Sequence, residues 1–208
     1  MGKILIIKGA NFSGVAVGKV ETPSGEIDEI AWESYSYKQI FETNNMLGIR
    51  AGFESGNLDP LGTNPKFPNV PVPTIVSDVK DSGNYSAKAF GTTSCQASQI
   101  PQDQIPIGTS VFLAARVYCT RYSAGNLGVF MERSGALINT TNSGFETKVA
   151  EDTSTKKATL LVGSWGGANL DGYIDTPVVI NKSIFNTPPS LEEFKVMYNK
   201  YVEIKKKQ

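Results

Sequence analysis

The carboxylate of Asp175 is the most conspicuous chemical group in the sequence. It lies in Gly172-Tyr173-Ile174-Asp175-Thr176-Pro177-Val178-Val179-Ile180, a β-branched run where a charge is costly unless N–H donors, a cation or solvent meet it. Trp165, beside Gly166-Gly167 and close to Asn169, has two physical uses: an open platform for a ligand, or an anchor against a neighbouring subunit, where Trp is enriched. The anchor is the preferred reading. In the run Ser110 to Tyr122, Leu113, Ala115, Val117 and Cys119 share one face of a strand and Phe112, Ala114, Arg116 and Tyr118 the other. The first set should face the core, leaving Arg116 and Tyr118 to a polar ligand or a second subunit.

Histidine is absent, which removes the commonest general acid/base and the commonest transition-metal ligand. A carboxylate-pair hydrolase would need two acids converging at ~5–10 Å over a cleft. Glu132, Glu146, Glu151 and Asp152 are present, but no spacing singles out a pair, and the chain reads as a non-enzyme. Cys95 and Cys119 are too few for a disulfide framework; they are expected as buried thiols, with their pairing left open.

These groups must be positioned by β-structure. Thr159 to Gly163 and Gly172 to Ile180 read as two strands joined by the polar, glycine-rich loop that holds Trp165. Upstream, Pro73 to Val79, Ser86 to Phe90, Ser94 to Ile100, Ser110 to Tyr122, Leu127 to Glu132 and Phe145 to Ala150 read as further strands between Asp/Ser/Gly/Asn/Pro turns. That spacing is the pattern of a β-sandwich or jelly roll. Pro60, Pro65, Pro68, Pro71 and Pro73 exclude a helix from Leu58 to Pro73.

The carboxyl end reads as a helix. Ser190 is a plausible N-cap with Glu193 completing a capping box, and lysines 205 to 207 close the far end. Its stripe of Leu191, Phe194, Tyr198 and Tyr201 packs back on the sandwich or forms a subunit seam; two heptads are short for an autonomous coil. At the amino end, Ile4, Ile6, Phe12, Val15 and Val17 fall in apolar strips with no nearby partner of their own, expected to dock on the main domain or on another chain. The expected fold is all-β, a jelly-roll β-sandwich with an extended N-terminal arm and one C-terminal α-helix. Its parts are an arm and linker over 1–45, the jelly roll over 46–185 and the helix over 186–208.

At 208 residues the chain suits one domain with appendages. Twenty basic and twenty acidic residues cancel, so no global field favours nucleic acid or an anionic membrane. The amino terminus has a four-residue apolar run, Ile4 to Ile7, short of the ~7–15 residues of a signal-peptide core, and no stretch approaches the ~20 of a membrane helix. Neither a signal peptide nor a membrane anchor is expected.

From Met46 to Ile180 the sequence resembles the jelly-roll carbohydrate-binding modules attached to cellulases and xylanases. The resemblance rests, in order, on the Gly52-Phe53-Glu54-Ser55-Gly56 turn, Asp81-Ser82-Gly83-Asn84-Tyr85-Ser86-Ala87-Lys88, the Gln96-Ala97-Ser98-Gln99 strand, the Pro106-Ile107-Gly108-Thr109 turn and the closing Gly172-Tyr173-Ile174-Asp175. It implies a structural calcium ion tying the first strand to the last, with Glu54, Asp81 and Asp175 as its candidate ligands, hard oxygens of the kind calcium takes. Thr176-Pro177 departs from the family's second acidic residue, and simple acceptance of backbone N–H bonds by Glu54 and Asp175 stays open beside the metal. The resemblance also implies a glycan cleft, for which Trp165, Tyr118 and Tyr122 are aromatic candidates, with Arg116, Gln96 and Asn169 as polar partners.

The opening MGKILIIKGANFSGVAVGKVE resembles those of fibre and other virion proteins in phages of gut Bacteroides-type bacteria, crAss-like phages among them. It implies assembly in the host cytoplasm, with other virion proteins and copies of the chain itself as partners and surface polysaccharide as a further one. The preferred expectation is a phage virion structural protein, a fibre, decoration or adaptor component docked by its arm and displaying the jelly roll. A stand-alone glycan-binding module is the alternative.

Overall fold

The computed structural model describes residues 21–22, 25–26, 37–48, 53–99, 104–131 and 134–207. The arm candidates Ile4, Ile6, Phe12, Val15 and Val17 lie outside them. The strands among the described residues are β1 (Glu21–Thr22), β2 (Gly25–Glu26), β3 (Leu61–Gly62), β4 (Thr74–Val76), β5 (Ser86–Gly91), β6 (Cys95–Gln99), β7 (Ser110–Met131), β8 (Ser134–Ile138), β9 (Glu146–Thr153) and β10 (Leu160–Asn181). One helix, α1 (Leu191–Lys206), follows. β1 and β2 pair with each other, and the other eight strands form one hydrogen-bonded network.

Two strands of 22 residues, β7 and β10, organise that network. They pair antiparallel along their whole length, from Val111 opposite Asn181 to Met131 opposite Leu160. The first part of β7 also pairs with β9 and its last part with β8. The first part of β10 pairs with β6 and a later part with β5, while β3 and β4 extend β6 and β5. The network therefore curls into two layers, β4-β5-β10-β7-β9 and β3-β6-β10-β7-β8. The sequence suggested two separate strands within each of these long ones. Register shifts at Trp165/Asn169, Asn169/Leu170 and Asp171/Gly172 instead absorb the glycine-rich residues as bulges, which bend a strand without ending its ladder. Gly125 makes the bend possible: its φ is 90°, and a Cβ there would lie 2.5 Å from the Ala168 Cα.

The space between the layers is filled by Leu113, Ala115, Val117 and Cys119 from one half of β7 and Leu127, Val129 and Met131 from the other. Leu160, Val162, Leu170 and Ile174 of β10 join them. The alternation expected for β7 holds. Cys95 and Cys119 are both buried free thiols, and burial raises the pKa of each.

A second core lies on the outer face of the first layer. Phe112, Ala114, Val178 and Ile180 project there and are covered by Phe194, Tyr198, Tyr201 and Val202 of α1, with Ile40 and Phe41 from the helical turn Gln39–Thr43. Phe112 and Phe194 stack at 4.4 Å and Phe41 and Tyr201 at 5.0 Å between ring centroids. The capping box is present: the Ser190 hydroxyl accepts from the Glu193 N–H, and the Glu193 carboxylate accepts from the Ser190 N–H. Of the two uses open to the helix stripe, packing on the sheet is the one adopted. Phe194, Tyr198 and Tyr201 are buried within the chain and Leu191 packs at their edge, so this stripe offers no free seam for assembly. A helix this short gains most of its stability from such packing. Residues 37–45, grouped by sequence with the arm, fold here too, with the Asn45 side chain accepting from the Val179 N–H at 3.0 Å and donating to the Pro177 carbonyl at 3.0 Å.

Candidate functional site

Beyond the second core, the outer face of the first layer crosses a polar seam. Asp175 is fully buried there. One of its oxygens accepts the backbone N–H groups of Asp81 at 2.8 Å and Ser82 at 2.9 Å, and the other accepts the hydroxyls of Thr176 at 2.7 Å and Ser82 at 3.3 Å. Burial pushes its pKa up, and these donors pull it partly back. Thr176 adopts a φ of 48° in the bulge between Asp175 and Val178, a conformation costly for a β-branched residue. Its carbonyl takes the Tyr198 hydroxyl at 2.8 Å, which ties the bulge to α1.

The neighbouring acids are paired with cations of the chain. Arg116 donates to both Asp81 oxygens at 2.6 and 3.2 Å, to the Phe145 carbonyl at 2.6 Å and to the Thr147 hydroxyl at 2.9 Å. Its guanidinium is thus spent inside the fold and is not the ligand partner its position on the strand suggested. Lys206 reaches Asp81 at 2.9 Å, and Lys205 reaches Glu54 at 3.0 Å. A calcium ion would require six to eight oxygens at ~2.3–2.6 Å. Glu54 and Asp81 instead hold ammonium groups, and the Asp175 oxygens are taken by N–H and hydroxyl donors. Among the described residues no group of three or more acids, cysteines or histidines is arranged for a metal. As placed, the residues do not fit the ion.

Past the seam no described element covers the same face, and it carries an aromatic strip. Tyr173 of β10 lies between Tyr118 of β7 and Lys88 of β5 in the strand register, because residues paired across antiparallel strands project to the same side. The Tyr118 and Tyr173 rings stack at 6.0 Å, and Phe145 tilts against Tyr118 at 5.7 Å. The Lys88 ammonium sits 5.7 Å from the Tyr173 ring centre and 5.8 Å from that of Phe90, cation–π distances. Phe90 is 49% exposed. Beside the strip, Arg121 donates to both Asp171 oxygens at 2.7 and 3.2 Å and to the Asn169 side-chain oxygen at 2.6 Å. Hydrogen bonding from Arg121 holds the Asp171 pKa below its ordinary value.

The sequence candidates therefore separate. Tyr118 belongs to the strip and Asn169 borders it through Arg121, whereas Tyr122 packs against the first core. Gln96 is 5% exposed, with its side-chain oxygen buried and lacking a hydrogen-bond partner among the described residues, so it is closed to a glycan. Trp165 is half-buried in β10 opposite Asn126, its ring 6.1 Å from Phe130, on the other layer and away from Tyr118. Tyr173, Phe145, Lys88, Phe90, Arg121 and Asp171 were missed as site residues. The signal was available for two of them: Lys88 and Phe90 alternate with the small core residues Ala87 and Ala89.

No protein family and no curated protein matches the sequence. Among solved structures, the chain is similar to the xylan-binding CBM22-1 domain of Paenibacillus barcinonensis Xyn10C, at 16% identity over 62% of this chain and 90% of that one with a TM-score of 0.48. It is similar to a family 16 carbohydrate-binding module at 15% identity, 62% and 96% coverage and a TM-score of 0.46. The enzymatically active domain of bacteriophage CBA120 tailspike protein 4 matches at 14% identity, 66% of this chain and 21% of that one, with a TM-score of 0.43. None of these likenesses bears on the chemistry of the strip.

Proposed function

We propose that this chain is a glycan-binding structural component of a phage virion, docked through residues 1–20 and displaying the sandwich. The observation that carries the glycan part is the bare strip of Tyr118, Tyr173 and Phe90 next to the Arg121–Asp171–Asn169 cluster. Sugars pack C–H groups on aromatic rings and need a few fixed polar partners for their hydroxyls. The virion part rests on the resemblance of the opening segment and on the apolar strips in its sequence. Trp165, beside Phe130 on the other layer, is left for subunit contact.

A glycan array with the full chain, Tyr173→Ala and Trp165→Ala tests the first part: saturable binding should be lost in the tyrosine variant and kept in the tryptophan variant. Loss in Trp165→Ala alone would move the site to the other layer. For the second part, Val15→Asp with Val17→Asp should leave glycan binding intact and prevent incorporation into particles. Normal incorporation of that variant would remove the arm from assembly.

A further inference from the structure

Resting on the glycan reading, we infer that the strip takes an acidic sugar, a uronate or other carboxylate-bearing residue, with Lys88 as the group that recognises the charge. Among the described residues, two cations and one carboxylate meet around Tyr173 and Phe90: Lys88, Arg121 and Asp171. Arg121 is consumed by Asp171 and Asn169, which leaves one unit of positive charge. That charge is on Lys88, which makes no salt bridge among the described residues and stands between the Tyr173 and Phe90 rings. Its register neighbours are Thr74 of β4 on one side and Tyr173 on the other, neither of them acidic.

The placement matters more than the charge. A lysine held over aromatic rings keeps its ammonium at the level of the surface on which a sugar ring would lie, within reach of a substituent on that ring. Lys88 is itself half-buried and its ammonium lies over two rings, so the head is more confined than that of an isolated surface lysine. A neutral sugar would leave this ammonium partly desolvated with only the ring faces as partners, whereas a carboxylate supplies a charge-assisted hydrogen bond. Specificity then comes from a penalty against the neutral ligand as much as from attraction to the acidic one.

The test uses the full chain and three uronate-containing polysaccharides, polygalacturonate, alginate and hyaluronan, each beside its carboxyl-reduced form, which keeps the backbone and replaces the carboxylate by an alcohol. Affinity electrophoresis should give a preference of about fivefold or more for at least one acidic form, as expected of a single partly exposed ion pair, and the preference should weaken with salt. In Lys88→Gln the ratio should fall to about one; in Lys88→Arg it should persist. Equal binding of acidic and reduced forms, or a ratio unchanged in Lys88→Gln, overturns the inference while leaving the glycan reading in place. Binding of neither form, together with no response to Tyr173→Ala on a broader array, overturns both.

Discussion

The outer face of the first layer is aromatic at both ends, but among the described residues only one end is covered. At one end Phe112, Ala114, Val178 and Ile180 disappear beneath α1 and the 37–45 segment. At the other, Tyr118, Tyr173 and Phe90 stay in contact with water beside Lys88 and Arg121. The residue at each position explains the difference. The sheet side of the covered end is apolar, and the two phenols that α1 brings onto it are hydrogen-bonded, Tyr198 to the Thr176 carbonyl and Tyr201 to the Glu42 carboxylate; closing the bare end would bury phenols, an ammonium and a guanidinium. The seam marks the limit of the cover: α1 runs out at Lys205 and Lys206, whose ammonium groups land on Glu54 and Asp81. An amphipathic helix therefore protects the part of the sheet it can dehydrate and stops where dehydration becomes costly.

The sharpest way to break this comparison is to hollow out the covered end. Phe194 is fully buried and stacked on Phe112, and Phe194→Ala should cost about 4 kcal/mol, the usual penalty for emptying such a position. Urea unfolding measures it. A loss below about 1 kcal/mol would mean that α1 merely lies on the sheet.

The seam should respond less. Lys205 is 7% exposed but its partner Glu54 is 38% exposed, so Lys205→Met leaves an acid that water can still reach. The expected loss is about 2 kcal/mol, below the range for breaking a fully buried pair. Because chain cations already satisfy these acids, neither chelator nor added calcium should move the melting temperature. A rise with calcium would show that the ion displaces the lysines.

How far the sequence reveals this arrangement depends on the range of the interactions. The capping box of α1 and the inward set of β7 were legible because both are local patterns, a four-residue motif and an alternation of two. The continuity of β7 and β10 was not, because Gly166-Gly167 has the composition of a loop and only the flanking pairs, Trp165 with Asn126 and Asn169 with Ala124, make it a bulge. The roles of Arg116 and Gln96 were hidden for the same reason. Their types suit a ligand, but their partners, Asp81 and Thr147 for the arginine, lie more than thirty positions away in sequence. Tyr173 became a site residue only through its register with Tyr118 and Lys88.

At the bare end, substitution should reach function before it reaches stability. Tyr173 is only half-buried, so Tyr173→Ala should lower stability by about 1 kcal/mol or less while weakening glycan binding about tenfold, the worth of a good aromatic contact. Large destabilisation without a binding change would make the strip a structural surface and erase the contrast between the two ends.

The smallest effect separates two carboxylates four positions apart on β10. Asp171, on the bare side, has its pKa lowered by hydrogen bonding to Arg121. A group with a lowered folded-state pKa contributes stability that is present above the ordinary carboxylate range and is lost as pH falls through the lowered value. Asp175, in the seam, is raised by burial. Its contribution is fully present below the ordinary range and is lost as pH rises through the raised value. The two should pull in opposite directions across about pH 3 to 7. Measured by urea unfolding, the advantage of wild type over Asp171→Asn should grow with pH, modestly because that pair is solvent-screened, while its advantage over Asp175→Asn should shrink. If both differences grow together, the four donors on Asp175 outweigh its burial, and the seam holds a stabilised anion in place of a strained one.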